Sequence, residues 1–333
     1  MRPLTALVVA AFIPLFATCA KEIKVGPEEA RVIAEEAYIY GLPIVENYKV
    51  LYNFAVYRRS GSFKAPFNHL ALVLPDTTAA PDTTQTDSIP SARVLVPPYA
   101  LSWLDLRKEP VVISVAPMRE GTTFHVQLVD LYTHNFGAIT SSEAGVAGGS
   151  YLIVHGTGSG DAPEGIARVI PCETTLALAI IRPQEAQNLI ATELFLDRFS
   201  VETLSQFERK PAKKPDALIF PPYSKTTAQT AGFFQYLNFA LQFCPVHPGE
   251  IELRARFAKL GIAAGKSFNV ATADPARLEA IQQGMTSAKA AIAEAAARTP
   301  EDALQYGSRA ELENDYLARA VAATVDLYGP APR

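Results

Sequence analysis

The residues best suited to chemistry lie in one short stretch, Phe124 to Phe136, reading FHVQLVDLYTHNF. On a strand, His125 and Gln127 would share one face, with Asp130, Tyr132 and His134 on the other. An imidazole beside a carboxylate is a general acid/base pair, so His134 and Asp130, with Tyr132 as a further proton-carrying group, are the candidate catalytic residues of a hydrolase- or lyase-like reaction. His125, Gln127 and Asn135 offer hydrogen bonds to a ligand, and His69 and Tyr99 extend that set. The competing structural reading is that Gln127, Asp130 and Asn135 tie down loops and the histidines are surface groups.

Other chemistries find less support. A metal site needs several convergent ligands. His69, His125, His134, His155 and His247 are scattered and no HExxH occurs, so no metal or other cofactor is expected; a site would require His125, His134 and His155 to meet across adjacent strands. Gly156-Thr157-Gly158-Ser159-Gly160 is not a nucleophile elbow, because Thr157 stands where that motif needs glycine, and it reads as a turn. Gly261-Ile262-Ala263-Ala264-Gly265-Lys266-Ser267 is one residue short of a phosphate loop and follows a helix, so it reads as a helix stop.

The elements that would carry these groups follow from pattern. Pro27-Glu28-Glu29 opens a helix, proline and acids both suiting a first turn. Gly41 and Pro43 are expected to end or bend it before a second helical stretch, 44–57. Residues 75–91, rich in Pro, Asp, Thr and Ser, form a loop or linker. From Arg93 to Ile181 short β-branched and aromatic runs (94–96, 111–115, 124–129, 151–154) alternate with Gly and Pro. With no helices between them, they predict an antiparallel sheet, sandwich or barrel. Helices return at 185–196, 233–241, from Pro248-Gly249-Glu250 to near Gly261 and from Asp274-Pro275 to Arg298. A last one starts at the capping box Ser308 to Glu311 and runs to about Tyr328. The fold class is α+β: an antiparallel β-rich centre flanked by N-terminal and C-terminal helices.

The first residues, MRPLTALVVAAFIPLFATCAKEIKV, place Arg2 before an apolar run and a polar segment from Lys21, the layout of a secretory leader. Thr18 and Ala20 suit ordinary signal peptidase, whereas Phe16-Ala17-Thr18-Cys19 resembles a lipobox that would leave Cys19 lipidated. The division is then a leader at 1–19, an α+β domain at 20–270 and a helical extension at 271–333. The expected location is periplasmic or secreted, with any membrane attachment through the lipid alone. In an oxidising compartment Cys172 and Cys244 suggest a disulfide; two separate buried thiols are the alternative. A formal charge of −4 without any run of Lys or Arg excludes a nucleic-acid footprint.

The chain resembles the bacterial family called domain of unknown function 1254. The resemblance is carried by 36–43 (EAYIYGLP), Phe67-Asn68-His69, 104–112 (LDLRKEPVV), 126–133 (VQLVDLYT) with Asn135-Phe136-Gly137, 149–154 (GSYLIV) and 261–266 (GIAAGK). Together these cover roughly 28–270. Longer members continue into a module called domain of unknown function 1214. Here the chain stops at Arg333, so the resemblance implies a shortened member. Relatives carry a Pro-Asn-x-Asp-Thr-x-Tyr-Ser run before the Leu104 motif; only Tyr99 matches it here. The resemblance implies a fold and an envelope location but no activity. The expected function is that of an exported protein binding a small or amphipathic ligand or a partner, with the acid/base enzyme and a purely structural role as alternatives.

Overall fold

The computed structural model describes residues 25–74, 98–158, 162–183, 189–211, 213–272 and 274–329. The leader, Cys19, the 75–91 segment and the expected strand at 94–96 lie outside the described residues.

Two sheets and a helical layer build the molecule. The strands are β1 (Ala71–Val73), β2 (Tyr99–Asp105), β3 (Val111–Val115), β4 (Phe124–Asp130), β5 (Asn135–Thr140), β6 (Gly149–His155), β7 (Ile166–Cys172), β8 (Leu176–Pro183) and β9 (Phe199–Thr203). The first sheet has the order β1-β2-β8-β4-β5 and the second β7-β6-β3-β9. All pairings are antiparallel except β6 with β7, which is parallel.

Alternation along the strands explains the stacking, since successive side chains point to opposite faces. Ala100 and Leu104, Phe124, Val126 and Leu128, and Ala177, Ala179 and Ile181 face Val111, Ile113, Tyr151 and Ile153 of the second sheet. Their neighbours Tyr99, Leu101 and Trp103, and Leu176, Leu178 and Ile180, enter a second core shared with the helices. Strands covered on both faces lose polar alternation, which is why β8 opens on the continuous apolar run LALAII and β2 is broken only by Ser102 before Asp105.

The main helices are α1 (Pro27–Leu51), α2 (Ser141–Ala144), α3 (Leu189–Leu196), α4 (Leu204–Phe207), α5 (Lys225–Ala228), α6 (Phe233–Leu241), α7 (Ile251–Ala258), α8 (Pro275–Arg298), α9 (Arg309–Leu312) and α10 (Tyr316–Val325). Core residues of α8 and α10, such as Ile281, Met285 and Val321, join those of α1 and α6 in one cluster. Among the described residues no helix is long and apolar enough to cross a membrane.

The sequence expectations need four corrections. Helix α1 continues through Gly41 and Pro43 and ends in a π-turn at Tyr52–Val56. Glycine suits that passage because a Cβ at Gly41 would sit 2.6 Å from Leu237. The capping box at Ser308 is present, but its helix stops after Leu312, where Glu313 has φ 46°, and α10 restarts with Asp315 capping Ala318. Strand β9 was hidden behind α3. Cys172 and Cys244 are both free thiols, because Cys172 lies in the inter-sheet core and Cys244 in the helix-side core. The 261–266 glycines do form a helix stop, with φ 78° at Gly261 and 66° at Gly265.

Candidate functional site

Asp130 ends β4 and His134 immediately precedes β5, so the pair straddles a tight turn. Asp130 N–H donates to His134 O (2.9 Å), Thr133 N–H to Asp130 O (3.0 Å), and Asp130 Oδ1 accepts from His134 N–H at 2.8 Å. Closing this turn puts Thr133 at φ 77°, a strained region for a β-branched residue. Asn47 of α1 clamps the turn, donating to Asp130 O and Leu131 O (3.1 and 3.2 Å). From the other side the Thr174 hydroxyl accepts from Leu131 N–H at 3.0 Å and donates to Leu176 O. Glu173, next to Thr174 in the chain, brings a carboxylate oxygen within 4.8 Å of Asp130 and His134.

The acid/base pair expected from the sequence therefore comes together, but deep inside. Asp130 is 2 % and His134 1 % exposed. His134 Nδ1 stands 3.4 Å from Asp130 Oδ2 without hydrogen-bond geometry, and Nε2 also meets no hydrogen-bond partner. Burial pushes the imidazole below its ordinary range, against the pull of Asp130 and with Arg319 and Arg309 acting in the same direction as burial. Tyr132 is also buried. Its hydroxyl donates to Pro245 O (2.7 Å) and accepts from Arg254 Nη1 (3.3 Å), and burial holds the phenol protonated far above neutral pH.

A charged network that sequence reasoning missed surrounds this turn. Arg309 joins Glu173 Oε2 (2.7 Å) to Glu250 Oε1 (2.8 Å) and lies over the Tyr132 ring at 4.5 Å. Glu250, fully buried, also accepts from the Tyr40 hydroxyl at 2.9 Å. Arg254 Nη1 donates to that hydroxyl at 3.1 Å. Arg319 of α10 donates to Tyr132 O. Burial lowers the Arg309 guanidinium, but its bonds to Glu173 and Glu250 outweigh this and raise it overall. The available signal was a charged residue on an apolar helical stripe: Arg319 sits between Leu317 and Ala320 in LARAVAATV. Beside the turn, a cavity of about 10 Å³ touches Thr133, Arg319 and Leu327, room for roughly one water molecule.

The other expected ligand-binding residues fall elsewhere. Gln127 donates to Asn135 Oδ1 and to Tyr328 O, both at 2.8 Å, and accepts from Arg182. Arg182 also reaches Gly329 O at 3.3 Å, so these polar groups hold the chain's own 328–329 segment. His125 and Tyr99 flank Arg182; burial lowers the imidazole and raises the phenol to about 12. His69 is exposed, its Nδ1 2.8 Å from Phe67 O.

An open groove of about 730 Å³ lies between α6 and the 265–271 segment. Phe239 and Phe268 line it together with Gln235, Gln242, Lys266 and Asn269. Phe268 packs on Phe234 (5.5 Å), and Phe239 on Phe220 and Tyr48 (both 5.4 Å). Asn238 Nδ2 fixes the loop by donating to Gly261 O and Lys266 O (2.8 and 3.0 Å). None of the residues named from the sequence as catalytic or ligand-binding lines this groove.

Residues 71–202 match the model of the family described as "Protein of unknown function (DUF1254)", which supports the resemblance over that segment, including the motifs at 104–112, 126–137 and 149–154; those at 36–43, 67–69 and 261–266 fall outside the match. No curated protein matches the chain. Among solved structures, the crystal structure of the VPA0106 protein from Vibrio parahaemolyticus is similar. It is 22% identical, with a TM-score of 0.69, covering 91% of this chain and 69% of that one. At that identity the likeness speaks for the fold alone.

Proposed function

We propose that this is an exported envelope protein that binds a small amphipathic molecule with an anionic head in the groove between α6 and the 265–271 segment. The groove carries this reading. Its volume of about 730 Å³ falls in the range of ligand sites, which pair apolar walls with a few placed polar groups. Phe239 and Phe268 offer the apolar wall. Lys266, which forms no ion pair among the described residues, offers the charge. The acid/base alternative is disfavoured because His134 and Asp130 are 1 % and 2 % exposed and line neither the groove nor the cavity of about 10 Å³ beside Thr133, so a substrate has no room beside them. The export part rests on the leader pattern of residues 1–20.

The test is thermal shift of the full mature chain with dodecanoate and with dodecanol. Saturating dodecanoate is expected to raise Tm by several degrees, the linkage effect of a ligand that binds only the folded state. Lys266→Glu should abolish that shift and Phe268→Ala weaken it. A chain indifferent to dodecanoate, or one whose response survives both substitutions, rules the groove out as this site.

A further inference from the structure

We propose that Asp130, His134 and Glu173 form a binding site for one divalent transition-metal ion of the zinc type. One carboxylate oxygen from each acid and one imidazole nitrogen all lie within 4.8 Å of one another. Acidic clusters alone are common, but His134 adds an independent sign. Its ring is 1 % exposed, and among the described residues Nε2 meets no partner while Nδ1 meets only the Asp130 carboxylate, at 3.4 Å and outside good hydrogen-bond geometry. Buried polar atoms are almost always satisfied, and an imidazole nitrogen with two carboxylate oxygens within 4.8 Å is satisfied by a cation.

The spacing agrees. Ligands about 2.1 Å from a tetrahedral zinc stand about 3.4 Å from each other, and His134 Nδ1 to Asp130 Oδ2 is 3.4 Å. That distance is too long and misaligned for a good hydrogen bond but matches an edge of a coordination tetrahedron. Supports for the ligands are also in place. Asp130 Oδ1 is held by His134 N–H, and Glu173 Oε2 by Arg309 Nε, which leaves Asp130 Oδ2 and Glu173 Oε1 for the ion. Such outer partners fix ligand orientation. The Glu173 side chain is 27 % exposed and gives the ion a way in from solvent.

One imidazole with two carboxylates suits zinc, cobalt or iron better than calcium, which takes six to eight oxygens. The site contrasts with the sequence expectation of no metal, which rested on scattered histidines; a single histidine suffices when carboxylates supply the other ligands. Arg254, Arg309 and Arg319 already offset Asp130, Glu173 and Glu250. A bound dication therefore adds charge that hydroxide or an anion on the open positions would reduce.

Chelator-treated full-length protein is titrated with Co²⁺ by visible absorption and with Zn²⁺ by calorimetry. We expect one ion per chain and at least tenfold weaker binding in both Asp130→Asn and Glu173→Gln. Asp130→Asn retains an oxygen for the His134 N–H, so it keeps the turn, and circular dichroism verifies that each variant is folded. His134→Ala should also abolish binding if it folds; the two carboxamide variants decide the matter if it does not. No Co²⁺ binding by the folded parent, or binding undiminished in both carboxamide variants, overturns the proposal. Equal affinity for Mg²⁺ overturns its zinc character.

Discussion

His125 is buried against Arg182, and both burial and that charge depress its proton affinity. The unfolded chain therefore takes up a proton at higher pH than the folded one. The stability linked to His125 is full above the unfolded pKa, about 6.5, and is lost as pH falls through and below it. Urea unfolding at about pH 7.5 and pH 5.5 should show this loss, and His125→Gln should reduce it. An identical loss in the variant would assign the effect to another group. Glu250 presents a sharper case, fully buried between Tyr40 and Arg309. Glu250→Gln leaves Arg309 with one carboxylate partner instead of two, and removing one member of a buried charge network costs about 3–5 kcal/mol. Equilibrium denaturation at neutral pH checks that figure. The two examples also divide what was legible. His134, Asp130 and Tyr132 are adjacent in the chain, so their meeting could be read from local spacing. Glu173, Glu250, Arg254, Arg309 and Arg319 reach them across long separations, and nothing local says that five scattered charges share one interior.

At the scale of elements, the tightest joint is α1 against α8. A Cβ on Gly284 would lie 2.2 Å from Arg31 O, a backbone atom that cannot swing away. Glycine to alanine in a helix normally gains up to about 1 kcal/mol; here Gly284→Ala should instead lose about 1–3 kcal/mol by overpacking, visible as a lower Tm. Capped elements were readable because their cause is local: Asp274 accepts from Arg277 N–H at 3.0 Å, as Asp before Pro275 suggested, and Phe233–Leu241 is the expected buried helix. Elements decided by tertiary partners were not. The passage of α1 through Pro43 depends on the close approach of Leu237 and Phe233 to Gly41. Strand β9 exists because β3 offers Val111 to Val115 as a pairing edge. The parallel match of β6 with β7 had no sequence cue, since every run there was short and turn-bounded.

For the whole molecule, the reading as an exported protein predicts a shortened native chain. Mass spectrometry of protein recovered from the envelope should find an N-terminus at lipidated Cys19 or just beyond Ala20; an intact Met1 would count against export. The two cysteines add a redox prediction. Burial in separate cores raises both thiols well above their usual range, so the folded chain should stay unreactive to a thiol reagent until denatured, and then expose both.

The Tyr328 hydroxyl donates to Asn47 Oδ1 at 2.8 Å, and Asn47 in turn grips the turn at Asp130. The same closing segment satisfies Gln127 and Arg182 through its carbonyls. Until residues 328–329 have docked, α1 and the first sheet lack these bonds between them, so their joint locks late. Long-range closure of this kind is slow, and a chain cut before Tyr328 should hold its helical layer more loosely against the sheet.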